Sequence, residues 1–221
     1  MSSGQTFEAN TTPASSHTLH KPADEILKNM MDYGLTAIGL VVLSPLLLIL
    51  AIIVKLDSPG PAFYRRRVMG RGGTQFDAWK FRTMVVNGDE ILNAYPELKI
   101  IWERDQKIEQ DPRITHSGQW MRKLSLDELP QLFNVLRGEM SVVGPRMIAP
   151  VEVARYGDAA AEVFTVKPGI TGLWQVSGRS NLSYEDRARL DLQYVRTRSF
   201  WMDVQLLFRT IPAVILKQGA F

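Results

Sequence analysis

At 221 residues the chain is long enough for one domain with a substantial core; it carries no cysteine and only three histidines, two of which, His17 and His20, fall in a polar N-terminal stretch. Disulfides and thiolate metal sites are therefore excluded. His116 is left as a lone imidazole, which disfavours zinc and Ser-His-Asp chemistry and leaves any acid, base or nucleophilic role to carboxylates. A formal charge of +3 and a pI near 9.2 favour anionic partners without choosing among nucleic acid, phosphorylated small molecules and anionic lipid.

Residues 1–21 read as a disordered polar tail. The run from Leu35 to Val54 is uncharged for about 20 residues, enough at ~1.5 Å per residue to match a ~30 Å bilayer core. It reads as a membrane helix within residues 22–56, and not as a cleaved signal peptide, because no basic start precedes it and no small-residue cleavage site follows. Ser44-Pro45 falls at its midpoint, where proline removes a helical hydrogen bond. Two shapes fit: a kinked spanning helix, or a re-entrant element whose two arms return to one side. Lys21 and Lys28 precede the run, and Lys55, Arg65, Arg66, Arg67, Arg71, Lys80 and Arg82 follow it. Charge alone leaves the two shapes equal, with the following domain, residues 57–221, cytoplasmic in either.

After an Asp57-Ser-Pro-Gly-Pro turn, Ala62–Val68 and Gln75–Arg82 flank Gly70-Arg-Gly-Gly, the pattern of a β-hairpin. Alternation places Phe76, Ala78, Lys80 and Arg82 on one face and Asp77, Trp79 and Phe81 on the other, so Lys80 and Arg82 are expected to face one phosphate site. The Arg65-Arg66-Arg67 cluster suits lipid head groups. A charged, broken helical region follows from Asn87 to Gln110 with Pro96 inside it, then an Asp111-Pro-Arg-Ile-Thr turn.

The stretch from Leu124 to Arg146 is the richest in chemistry. Asp127 and Glu128 stand where Leu129, Leu132, Phe133, Val135 and Leu136 begin to recur at helical spacing, so Asp127 is expected to cap a helix with Pro130 in its first turn. The pair is then either a cap answering the helix dipole or a site where carboxylates meet a phosphoryl ligand and its divalent cation, oxygen-ligated Mg2+ being the natural metal. Arg122, Lys123 and Arg146 supply cations around it. The stretch from Lys167 to Arg179, rich in glycine, hydroxyls and amides, suits a polar ligand or is simply a loop. From Ser183 on the chain reads as helical, with Asp191 and Asp203 among apolar neighbours. Its surface around Trp201, either core or head-group level, is flanked by Arg209 and Lys217. The fold class is therefore α+β, mainly helical with a small hairpin.

In order, Ser44-Pro45, Lys80-Phe-Arg-Thr-Met84, Asp111-Pro-Arg-Ile-Thr115, Leu126-Asp-Glu-Leu-Pro-Gln131, Gly144-Pro-Arg146 and Lys167-Pro-Gly-Ile-Thr-Gly172 resemble the bacterial sugar transferase family, the monotopic polyprenyl-phosphate phosphoglycosyl transferases. The resemblance covers roughly residue 22 to the end and is carried by the ordered set. It implies transfer of a sugar 1-phosphate from a UDP-sugar to undecaprenyl phosphate, releasing UMP, as the first membrane step of surface-glycan assembly. It further implies that Asp127 is the nucleophile, that Glu128 positions Mg2+ with Asp127 beside it, and that Lys80, Arg122, Arg146 and Asp203 line the site; Arg82 on the Lys80 face and Arg179 at the end of the polar stretch are expected, from the residues themselves, as further substrate contacts. The same resemblance implies a re-entrant membrane helix broken at Ser44 and Pro45, a seat in the inner membrane with the catalytic domain on the cytoplasmic face, and a small catalytic-domain-only form. The expected partners are a UDP-sugar, undecaprenyl phosphate and membrane lipids, with no nucleic acid; oligomeric state and the sugar transferred stay open. Two other readings use the same features: a non-enzymatic membrane-surface scaffold, and a membrane-anchored metal-dependent phosphohydrolase.

Overall fold

The computed structural model describes residues 22–105, 108–178 and 182–215. Helix α1 (Pro22–Asp57) runs for 36 residues, about 54 Å at the helical rise, with Pro45 inside it. The helix is assigned without interruption across Ser44 and Pro45, so the sharp break expected there is not a break in helical backbone. The reason is local: Pro45 leaves the Val41 carbonyl without its usual donor, and Ser44 Oγ donates to that carbonyl at 2.8 Å. The most apolar 18-residue window of α1 has a mean hydropathy of 3.0 and is only 11% buried, so this helix is long and apolar enough to cross a membrane. What the domain does cover is a stripe at helical spacing, Asp32, Thr36, Leu50 and Val54.

Strands β1 (Phe63–Met69) and β2 (Gln75–Phe81) form the expected antiparallel hairpin, with Phe63 opposite Phe81 and Met69 opposite Gln75. One face of β2 sends Phe76 and Ala78 into a core with Val68, Val135, Met140 and Met147. Phe81, on the other face, packs with Met121 against Leu50 and Val54 of α1. The hairpin thus stands between the long helix and the rest of the domain, with one face of β2 in the domain core and the end of the other, at Phe81, against α1.

Beyond β2, α2 (Gly88–Ala94) and α3 (Pro96–Asp105) divide the charged region at Pro96, which opens the second helix rather than kinking one. Helix α4 (His116–Lys123) is capped by Thr115, whose Oγ1 accepts from the Gly118 N–H. Next come a 3-10 turn over Leu126–Gln131 and a short α5 (Leu132–Leu136). The chain closes with β3 (Ser141–Val143), α6 (Ala159–Val163), β4 (Gly169–Thr171), α7 (Tyr184–Thr197) and α8 (Phe200–Ile215).

Two features depart from the sequence reading. A second sheet exists: β3 and β4 pair in parallel, Ser141 with Gly169 and Val143 with Thr171, where the sequence pattern offered only the one hairpin. The strands are three residues long, too short for alternation to register. Their close approach needs glycine, since a Cβ on Gly169 would lie 2.1 Å from the Gly144 nitrogen. The second departure concerns Asp127. It caps no helix: the 3-10 turn begins at Ser125, in the left-handed region with φ 55, and no side chain caps it.

The C-terminal helices use only part of their apolar surface as core. Leu206 and Ala213 of α8 are buried, Leu206 in a core with Val143, Val166, Leu173, Tyr194 and Val195, whereas Trp201, Phe208 and Ile211 of the same helix are exposed.

Candidate active site

Helix α5, which continues the 3-10 turn carrying the two carboxylates, is tied to the edge of β2 by a fully buried side chain. Asn134 Oδ1 accepts from the Trp79 N–H at 2.9 Å, and its Nδ2 donates to the Asp77 carbonyl at 2.8 Å, so the amide takes the place of a third strand. This sets Lys80, on the Phe76 and Ala78 face, against the turn. Lys80 Nζ donates to Glu128 Oε1 at 2.6 Å, and Arg146 Nη2, arriving from the turn after β3, donates to the same oxygen at 3.1 Å. Arg122 reaches in from the last turn of α4, held by a bond from its Nε to Thr83 Oγ1 at 2.8 Å.

Asp127 is 8% exposed, and among the described residues no hydrogen bond ties its carboxylate. Its proton affinity is raised: burial is the largest cause, and the neighbouring Glu128 charge adds to it, against the opposing pull of Lys80, Arg122 and Arg146. Burial also works against ionising Glu128, but there Arg146 and Lys80 win and hold the group well below the usual carboxylate range. Arg146 is raised in turn, chiefly by Glu128. Two adjacent carboxylates are thereby set apart: Glu128 is locked as an anion between two cations, and Asp127 is the less solvated, less committed one.

The sequence-predicted residues divide into three groups. Lys80, Arg122, Arg146, Asp127 and Glu128 come together. Arg82 is not brought with them, contrary to the shared-face expectation, because β2 ends at Phe81. Its guanidinium turns to the C-terminal end of α1 and donates to the carbonyls of Pro61, Ser58, Met84 and Val54 and to Ser58 Oγ, at 2.5 to 3.4 Å. Asp203 is likewise engaged elsewhere, accepting from Lys28 Nζ at 2.6 Å and from the Tyr194 hydroxyl at 2.8 Å, where it joins α8 to α1 and α7. Arg179 lies outside the described residues.

Sequence reasoning missed Arg66 and Glu152. Arg66 stands opposite Ala78 in the hairpin, hence on the Lys80 face, and its charge is felt at Arg122. Glu152 Oε2 accepts from Arg66 Nη2 at 3.0 Å and from the Ala149 N–H at 2.7 Å, while its other oxygen takes the Tyr184 hydroxyl. The alternation that placed Lys80 also singles out Arg66, because Arg65 and Arg67 point to the opposite face, over the Trp79 ring at 4.3 Å and against Asp77 at 3.3 Å. Behind Arg146, the fully buried Asp191 accepts from the Arg146 N–H at 3.4 Å and from the Tyr156 hydroxyl at 3.0 Å. Gln131, four residues past Asp127 and fully buried, leaves both amide atoms without a hydrogen-bond partner.

As chemistry, the site is a buried, uncommitted carboxylate within a wall of cations that exceeds the local negative charge. Such a wall admits an oxyanion-rich group and lets a carboxylate approach it without net repulsion.

Comparison with known proteins agrees with this. The family model described as bacterial sugar transferase matches residues 23–217. An uncharacterised sugar transferase of Haemophilus influenzae is 46% identical over 209 residues, 93% of this chain and 44% of that protein. The exopolysaccharide production protein ExoY of Rhizobium meliloti is 42% identical over 205 residues, 91% of each chain. The undecaprenyl-phosphate galactose phosphotransferase of Salmonella typhimurium is 43% identical over 209 residues, 93% of this chain and 44% of that protein. The chain thus spans under half the length of the Haemophilus and Salmonella relatives and nine-tenths of ExoY. With the family model covering nearly all the chain and the cation-walled dyad inside that match, the chain belongs to the bacterial sugar transferase family.

Proposed function

We propose that this protein transfers a sugar 1-phosphate from a UDP-sugar to undecaprenyl phosphate, giving undecaprenyl-diphospho-sugar and UMP. The observation that carries the reading is the asymmetry of the dyad. Glu128 is fixed by Lys80 and Arg146, while Asp127, buried beside them and without a hydrogen bond among the described residues, has a lone pair to give. Asp127 attacks the sugar-bearing phosphorus of the donor; the bond from that phosphorus to the bridging oxygen breaks, and UMP leaves with the electron pair. A phosphate oxygen of the polyprenyl acceptor then attacks the same phosphorus, displaces the Asp127 carboxylate and forms the new diphosphate. Lys80, Arg122 and Arg146 hold the anionic groups at the attacking carboxylate through both steps.

Mg2+ fits this donor set. Lys80 and Arg146 occupy Glu128 Oε1, which leaves Oε2 of Glu128 and the Asp127 carboxylate as two hard oxygen donors. No cluster of three or more metal-binding side chains occurs among the described residues. One or two carboxylates completed by substrate phosphates and water is how Mg2+ is commonly held, and when bound it would neutralise the diphosphate.

The membrane seat is part of the same proposal. Lys28 and Asp32 near one end of α1 bond to Val143 and Val142, and Asp57 at the other end accepts from Ser117. A helix whose two ends are held by one water-facing domain cannot deliver them to opposite faces of a bilayer, which favours a monotopic, re-entrant seat in the inner membrane with the domain on the cytoplasmic side. The Salmonella relative, an undecaprenyl-phosphate galactose phosphotransferase, supports the lipid acceptor and the sugar-phosphate cargo.

The test is UMP release from a panel of UDP-sugars with undecaprenyl phosphate and Mg2+. Asp127→Asn is expected to lose at least about a thousandfold in turnover and to form no covalent adduct. Glu128→Gln is expected to be slow but to accumulate the phosphosugar-protein adduct, seen by intact mass. Full activity in Asp127→Asn overturns the mechanism.

A further inference from the structure

A cleft with no part in the dyad lies between the N-terminal turns of α1, the β1–β2 connection and the segment entering β4. Its volume is about 90 Å3, lined by Lys28, Arg71, Lys167 and Arg198 together with Glu25 and Asp32. That is the space of about three waters, room for a tetrahedral phosphate group. The acids are already engaged: Asp32 accepts from the Val142 N–H at 3.0 Å, and Glu25 takes Arg198 Nη2 at 2.6 Å. Lys28 is committed to Asp203.

The cations are not balanced in the same way. Arg71 and Lys167 have no anionic partner among the described residues; the Lys167 ammonium rests 5.9 Å from the centre of the Tyr33 ring. Arg198 keeps a buried Nε without any hydrogen-bond partner, although its Nη2 is paired. Three donors with spare capacity therefore line one small cavity, an arrangement that an anion with several oxygens satisfies. Lys167 opens the Lys-Pro-Gly-Ile-Thr-Gly motif, so this motif's cation serves the cleft rather than the dyad.

The surroundings select an amphiphile. The uncharged run of α1 begins at Leu35, within one turn of the cleft-lining Asp32, and Leu35 is itself exposed. A free phosphate would make no use of this apolar run. We infer that the cleft of Arg71, Lys167 and Arg198 binds the phosphate of an anionic phospholipid head group, with the acyl chains along the apolar turns of α1. The inference rests on the membrane seat proposed above for α1.

The experiment floats the full-length protein with vesicles of phosphatidylcholine alone or with phosphatidylglycerol mixed in, at constant ionic strength. Wild type is expected on both, with a gain in affinity from phosphatidylglycerol. Arg71→Ala and Lys167→Ala are each expected to reduce that gain about fivefold, the equivalent of ~1 kcal/mol per cation. Lys167→Arg should retain it, and Lys99→Ala, an exposed cation on α3 bonded to Asn93, should leave it unchanged. A gain indifferent to the cleft variants, or lost equally in Lys99→Ala, overturns the site. Inorganic phosphate protecting the protein against thermal unfolding as strongly as phosphatidylglycerol, through the same residues, overturns the lipid as its ligand. Absence of flotation on either vesicle overturns instead the membrane seat of α1.

Discussion

At the scale of single residues, Asp127 and Glu128 share a turn and differ in fate because of what reaches each oxygen. Burial raises Asp127 above its ordinary value near ~3.9. The nucleophile proposed above must be ionised, so turnover is expected to rise with pH through a limb lying above that value. Lys80→Met, which removes a neutralising cation, is expected to move the limb further up and to slow turnover by about a hundredfold; steady-state rates across pH check both. Asp191 offers a stability test of the opposite kind. Burial, only partly offset by the bonds from Tyr156 and Arg146, pushes its pKa up to about 7. A carboxyl protonated in the fold but ionised in the unfolded chain stabilises at low pH, and that contribution is lost as pH rises from ~4 through ~7, about 4 kcal/mol in all. Asp191→Asn, which keeps an acceptor for the Tyr156 hydroxyl, is expected to flatten this window in urea titrations and to be the more stable protein above it.

At the scale of elements, the hairpin was legible because alternation over seven residues is a strong signal and one face of β2 is core. The same alternation that puts Lys80 beside Glu128 puts Arg66 on the Lys80 face and its neighbours Arg65 and Arg67 on the other, so three consecutive arginines are not one patch. Arg82 escaped because strand alternation holds only while the strand lasts; one residue past Phe81 its guanidinium was free to seek carbonyls. The expected cap at Asp127 failed for a related reason: apolar spacing of three and four cannot distinguish an α-helix from a 3-10 turn that leads into one. Asn134 gave no sequence signal at all, since its role lies in backbone groups of a distant strand. Asn134→Ala would strip partners from the Trp79 N–H and the Asp77 carbonyl, and is expected to cost about 2–4 kcal/mol in denaturant midpoints, lowering activity only as the dyad loses its footing.

At the scale of the whole molecule, the ordered motifs revealed the family, but not the parallel pair of β3 and β4 that brings the Gly-Pro-Arg and Lys-Pro-Gly segments into contact. Topology of the long helix can be checked directly, because the chain has no cysteine of its own. Ala23→Cys and Leu56→Cys, at exposed positions near the two ends of α1, are expected to react with an impermeant maleimide from the same side of inside-out vesicles; reaction from opposite sides would establish a spanning helix. Ser44 sets the final consequence. Because its hydroxyl replaces the donor that Pro45 lacks, the Val41 carbonyl stays paired at the weakest point of the helical ladder. In the membrane seat proposed above, α1 would therefore bend at its centre without leaving a bare carbonyl that draws water inward.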